Sequence, residues 1–308
     1  MGISVRELVR LFHKSVIMNN RALPGGILFA AVIILASAGQ VPATAAEGAP
    51  SETGLSMAEQ RPALKLRFVL DKNYDTHELY GMLHHDDPAG LVSRAKSMGI
   101  GLEFAQKIKD SRDFEEAAGL LTPLVDKVYT EEGAALSGST SAYSASWEVV
   151  IGTFSKIVPA ITGHDWFYEK YVCVVSAFNP GVSSWYGNKI VRKYGEDPIK
   201  QRRITAHEIV LSHVFHIARL YYAKDEIEDR QVWKFAEISA VFVLNDGSLA
   251  QLWPWFTPPA EYFSKTNYPQ LAEVERSLAP LYKARKSFKE YLDRSMLVLK
   301  NNRMDNKK

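Results

Sequence analysis

Residues 204–222 read ITAHEIVLSHVFHIARLYY and hold three of the chain's eight histidines, His207, His213 and His216, with Glu208 directly after the first. Zinc takes imidazole and carboxylate ligands in a tetrahedral arrangement, and a helix supplies two imidazoles most simply as His-Glu-x-x-His. Positions i and i+4 share a face, and the glutamate after the first histidine can accept a proton from metal-bound water. Here position i+4 is Leu211 and the next histidine comes at i+6. On a straight helix that is about 240° away from His207. One residue looped out as a π-bulge leaves about 140°, and two leave about 40°, the ordinary zinc spacing. Read as a straight helix, the same residues give an amphipathic element: Val210, Leu211, Val214, Ile217, Ala218 and Tyr221 form an apolar stripe around His207, and Glu208, Ser212, His216 and Arg219 fall opposite. His207 is then a buried, hydrogen-bonded histidine.

The flanking segments bear on that choice. Residues 232–244, VWKFAEISAVFVL, place Glu237 in an otherwise apolar helix. A buried carboxylate is costly unless it is paired or bound to a metal, so Glu237 needs either an ion or a salt bridge, for instance to Arg219 or Lys234. Ahead of the histidine stretch, YEKYVCVVSAF (168–178) reads as a strand and NPG (179–181) as a turn. SSWYGNKIVRKYG (183–195) reads as a second strand centred on Ile190 and Val191, and EDP (196–198) breaks the chain before a helix over Arg203–Tyr222. The helix bearing Glu237 ends at Asn245-Asp246-Gly247.

Taken together, VCVVSAFNP, SSWYGNKIV, RRITAHEIVLSH and VWKFAEISA resemble the core of a gluzincin-type zinc metallopeptidase over residues 171–245. In that group an edge strand precedes the His-Glu helix, and a following helix carries an acidic ligand in a Glu-x-x-Ala setting, matched here by Glu237-Ile-Ser-Ala. The resemblance implies zinc on His207 and Glu237 and a general-base role for Glu208. Leu211 departs from the pattern, which leaves His213 as the candidate second imidazole and His216 as its substitute. The implied activity is that of an exported zinc-dependent peptidase, a hydrolase cleaving peptide bonds through a metal-activated water. The strand around Ile190–Arg192 would align the extended peptide by β-addition. His216, Arg219, Tyr262 and Tyr268 are equivalent candidates for stabilising the oxyanion. The alternative is a catalytically inactive, metallopeptidase-like exported protein that binds a peptide or protein partner. A helical domain unrelated to peptidases is a third reading.

The expected architecture is α+β and mostly helical, with a small sheet whose edge strand lies beside the helix pair. Residues 1–46 have the layout of a signal peptide: Arg21, an apolar run from Gly25 to Gly39, then ATAA. That run is shorter than the roughly 20 residues of a membrane span, and an uncleaved anchor is the alternative. Met18 is a second candidate start. The membrane is involved only through this segment, and the expected location is the periplasm or the exterior. Residues 47–62 read as a flexible leader, 63–145 as a mostly helical region opened by a strand at Leu64–Leu70, 146–300 as the metallopeptidase-like domain and 301–308 as a disordered tail. Within the second of these, GAALSGSTSAYSAS (133–146) reads as a loop.

Composition sets further bounds. Hydrophobic residues make up 46% and charged residues 23%, a globular balance. The net charge of +2 includes Arg6, Arg10, Lys14 and Arg21 against Glu7, so the chain after residue 46 sits near −1. With no basic stripe interleaved with aromatics, nucleic acid is excluded as a partner. Cys173 is the single cysteine and sits in a β-branched apolar run, so it reads as a buried thiol and not as a disulfide or zinc ligand. His77-Glu78 with His84, His85, Asp86 and Asp87 is a second metal candidate or a solvated helix end. QLWPWFTPP (251–259) reads as an aromatic loop packed over the core or lining a substrate cleft. No phosphate loop or nucleophile elbow is present.

Overall fold

A four-stranded sheet organises the chain, seen in a computed structural model that describes residues 64–84, 88–181 and 183–305. The expected signal segment (1–46) and leader (47–62) lie outside the described residues. The strands are β1 (Lys65–Val69), β2 (Lys170–Ser176), β3 (Ser184–Tyr186) and β4 (Lys189–Lys193), in the spatial order β1-β2-β4-β3. β1, β2 and β4 are parallel, and β3 is antiparallel to β4. The helices are α1 (Lys72–His84), α2 (Pro88–Ser97), α3 (Leu102–Lys109), α4 (Phe114–Glu131), α5 (Gly133–Glu148), α6 (Ile151–Thr162), α7 (Pro198–Tyr221), α8 (Asp229–Leu244), α9 (Gly247–Ala250), α10 (Pro259–Tyr262), α11 (Pro269–Lys283) and α12 (Phe288–Asp305). The fold is therefore α+β and mostly helical, as expected.

The stretch expected as one strand over 183–195 is a hairpin. Gly187 has a φ of +56° and opens the two-residue turn Gly187-Asn188, the place where a type II′ turn requires a left-handed residue. Tyr186 consequently pairs with Lys189. This corrects the expectation for Ile190–Arg192: β4 is paired on both sides, and the edge strand beside it is β3. Residues flanking a two-residue turn exchange hydrogen bonds with each other, and the pattern alternates along the strand. The N–H and C=O of Trp185 therefore face away from β4.

Alternation along the strands gives the sheet two different faces. Cys173, Val175 and Ile190 join the main core, which α5 to α8, α11 and α12 complete. Ser176 faces the opposite side, where its hydroxyl meets Glu78 of α1. Helices α1 to α4 hold a smaller cluster built on Leu79, Leu83, Leu91, Ile108, Leu121 and Val125. The two expected regions share one sheet, because β1 pairs with β2, and Leu64, Phe68 and Tyr143 of the first belong to the main core.

Residues 133–146 are not a loop but most of α5. Their Ser and Gly content obscures a stripe, Leu136, Tyr143 and Trp147, that is fully buried. The Tyr143 hydroxyl donates to the Lys193 carbonyl (2.8 Å) and accepts from the Glu196 N–H (2.8 Å), tying α5 to the end of β4. α7 starts earlier than Arg203: Pro198 occupies its first turn, and Asp197 Oδ1 accepts from the N–H groups of Ile199 (3.0 Å) and Lys200 (2.9 Å). α12 runs to Asp305, so residues 301–305 of the expected tail are helical.

Candidate site on the paired helices

α7 and α8 pack side by side, and their facing sides carry His207, Glu208 and Glu237. All three are buried, at 6%, 5% and 5% exposure. His207 Nε2 lies 3.1 Å from Glu237 Oε1. Glu237 thus has a partner other than those expected for a salt bridge; Arg219 pairs with Asp229 instead (2.6 Å). Ser183, just before β3, hydrogen-bonds the Glu208 carboxylate and links the sheet edge to the helix pair.

The electrostatics of the three groups are mutual. Burial raises the Glu208 pKa, His207 opposes the rise, and the charge of Glu237 adds to it. Burial works against a charged His207, but Glu237 and then Glu208 outweigh it and hold the imidazole above its ordinary range. Two tyrosines close the cluster. The Tyr262 ring lies 6.3 Å from His207 and stacks on Tyr268 at 5.7 Å. Burial and then Glu237 raise the Tyr262 phenol; for Tyr268 the charge of Glu237 is the larger cause. Both hydroxyls stay protonated and can donate.

His213 is not brought to this cluster, which corrects the expected ligand set. α7 is α-helical without a bulge from Pro198 to Tyr221, so the six-residue spacing turns His213 to the far side. There it is fully buried beside Trp166 (4.7 Å between ring centres) and Phe167 (5.9 Å), with Nε2 3.2 Å from Thr162 Oγ1. Burial pushes its pKa down to about 3, so it is a neutral core residue. His216 is no substitute: its Nδ1 donates to the Ser212 carbonyl (2.7 Å), and Nε2 accepts from the Tyr168 hydroxyl (3.0 Å). Leu211, 1% exposed, stands where the second imidazole would be. The donors that meet are one imidazole and two glutamates, one imidazole short of the implied set, and among the described residues no three potential ligands converge on a metal position. Zinc bound by His207, His213 and Glu237 does not fit this arrangement.

The other candidates are accounted for. His77 stacks on Phe114 (3.8 Å) and bonds the Asn73 carbonyl (2.8 Å), while His84 bonds the Ile108 carbonyl (3.4 Å). His85, Asp86 and Asp87 lie outside the described residues. Cys173 is a fully buried thiol whose pKa burial pushes up to about 12. In the 251–259 loop, Trp253 is buried and donates to the Leu244 carbonyl (3.0 Å), the packing role.

One cluster is not evident from the sequence reading. On the other face of the sheet, Asp75 is fully buried and accepts from the Tyr129 hydroxyl (2.9 Å) and the Ala177 N–H (3.1 Å). Glu78 accepts from Ser176 Oγ (3.3 Å) and Asn179 Nδ2 (3.3 Å), and burial, reinforced by Asp75, raises its pKa to about 7. The available signal was that Asp75 shares the stripe of Leu79 and Met82 at four- and seven-residue spacing.

Comparison with protein-family models, with curated proteins and with solved structures returns no match to this chain.

Proposed function

We propose that this protein binds an extended peptide along β3, beside His207, Glu208 and Glu237, on a metallopeptidase-like frame that does not hydrolyse it. The observation that carries this reading is the position of His213, held on Thr162 and Trp166 while Leu211 fills the i+4 site. Peptide binding is supported by the sheet edge: the outward N–H and C=O of Trp185 sit next to Ser183, the partner of Glu208. Export rests on the pattern of residues 1–46 alone.

Amide hydrogen exchange tests it. In the free protein the Trp185 N–H should exchange fast, while those of Ser184 and Tyr186 are protected by β4. A pool of N-acetylated hexapeptides should slow Trp185 selectively and be recovered uncleaved. An unchanged Trp185 amide under saturating peptide would refute the reading.

Cleavage of the same peptide pool, abolished by Glu208→Gln, would instead favour a peptidase, the reading that the sequence resemblance implies, over binding alone.

A further inference from the structure

The helix that carries His207 also carries a buried charge with no counter-charge among the described residues. Arg203 precedes His207 by one turn and is 6% exposed. Its Nη2 donates to the neutral Asn245 Oδ1 at 3.2 Å, and its Nε is buried without a partner. Its guanidinium carbon lies 5.9 Å from the ring of Trp255, which is half-buried in the 251–259 loop. Among the described residues the other buried arginine, Arg192, also has an unpartnered Nε but is paired with the Glu196 carboxylate (2.5 Å). The partly buried Arg219 and Arg285 likewise hold Asp229 and Asp246. Among the described residues Arg203 has no carboxylate within ion-pair distance, and burial lowers its pKa with only Tyr262 opposing.

Leaving a guanidinium out of water without an anion costs several kcal/mol. Guanidinium is also the group whose planar fork matches a carboxylate in two parallel hydrogen bonds. Both site carboxylates already have partners, Glu237 on His207 and Glu208 on Ser183. We infer that Arg203 is the receptor for a carboxylate of the bound peptide, with the Trp255 indole covering the guanidinium until the ligand arrives. This rests on the peptide-binding reading and adds its specificity. The carboxylate is either the chain terminus or an acidic side chain; both present the same chemistry to Arg203.

Three N-acetylated hexapeptide pools separate the possibilities: one without Asp or Glu and with a free C-terminus, the same pool amidated, and an amidated pool containing Glu. Equilibrium dialysis against the full protein should show the first or third pool binding at least about ten-fold tighter than the second. Preference for the first assigns the terminus, and preference for the third assigns the side chain. Arg203→Gln should erase the preference, and Arg203→Lys, which keeps the charge without the fork, should retain only part of it. Circular dichroism of both variants checks that they fold, and if Arg203→Gln does not, Arg203→Lys carries the test. Equal binding of all three pools would overturn the role of Arg203 and leave peptide binding intact. Binding of none would overturn the peptide reading and this inference with it.

Discussion

His207 and His213 lie six residues apart on one uninterrupted helix and face different neighbours: Nε2 of the first meets Glu237 on α8 at 3.1 Å, and Nε2 of the second meets Thr162 on α6 at 3.2 Å. A spacing of four would have put both imidazoles on the α8 side. The expected zinc set required the helix to bulge by two residues. Nothing in α7 compensates for such a bulge, because Leu211, Val210 and Val214 are all buried in the straight form.

Restoring the spacing should create a metal site. Leu211→His completes a His-Glu-x-x-His motif that starts at His207, on the helix face turned toward Glu237, and three ligands then converge. The variant should retain about one zinc per chain after dialysis, with the wild type and His213→Ala retaining equally little. Metal analysis of the three proteins decides this. One zinc in the wild type that disappears in His213→Ala would refute the placement of His213 away from the site.

His213 should make stability depend on acid. Its native pKa is about 3 against an ordinary 6.5. Between those values the unfolded chain binds a proton that the native state refuses. Stability therefore falls as pH drops from about 6.5 toward 3, by at most about 1.4 kcal/mol per pH unit. His213→Leu removes the titrating group, and Thr162 Oγ1 still has the Val158 carbonyl at 3.0 Å to donate to. Between pH 8 and pH 5 the urea midpoint should fall less in the variant than in the wild type. Parallel losses would mean that another group is responsible.

Glu78 should act in the opposite sense. Its native pKa of about 7 lies above the ordinary 4.5, so the native state keeps a proton that the unfolded chain has lost. Its contribution to stability is full below about 4.5 and declines as pH rises to about 7. Glu78→Gln preserves the shape of the bonds to Ser176 and Asn179 and has nothing to ionise. It should be more stable than the wild type at pH 8, by about 1–3 kcal/mol, and no more stable at pH 4. Because His213 and Glu78 change stability in opposite directions over overlapping ranges, only the difference between variant and wild type isolates each one. An equal gain for Glu78→Gln at both pH values would contradict the assignment.

β1, β2 and the two central helices were legible because each is written in local pattern. Alternation marks β1 and a β-branched run marks β2, and an acidic residue inside VWKFAEISAVFVL signals a buried partner. Other features were not legible, for separate physical reasons. α5 is helical because Leu136, Tyr143 and Trp147 find a core to enter, and its Ser and Gly residues carry no local preference that announces this. The β3 edge depends on a single φ > 0 at Gly187, which divides one apparent strand into two. The orientation of His213 depends on Trp166 and Thr162, distant in sequence, which make a dry site for a neutral imidazole. Arg203 looked like one of several basic residues at the start of a helix; its lack of a counter-charge is visible only in three dimensions.

The His207–Glu237 pair itself should behave as a buried ion pair and not as two independent polar groups. His207→Ala leaves Glu237 enclosed at 5% exposure without its partner and should cost about 3–5 kcal/mol. Glu237→Leu strands His207, which can shed its proton and remain neutral, so the loss should be smaller. Combining His207→Leu with Glu237→Leu replaces both partners by apolar groups, and the double variant should recover much of the loss, giving a coupling energy above about 1 kcal/mol in a double-mutant cycle built on the two leucine variants. Denaturation in urea at pH 7 measures all four corners. Simple additivity would mean that the two side chains do not interact in solution and that the 3.1 Å contact carries no energy. A wild-type stability that drops on adding a chelator would instead show that a bound metal, and not the direct hydrogen bond, joins them.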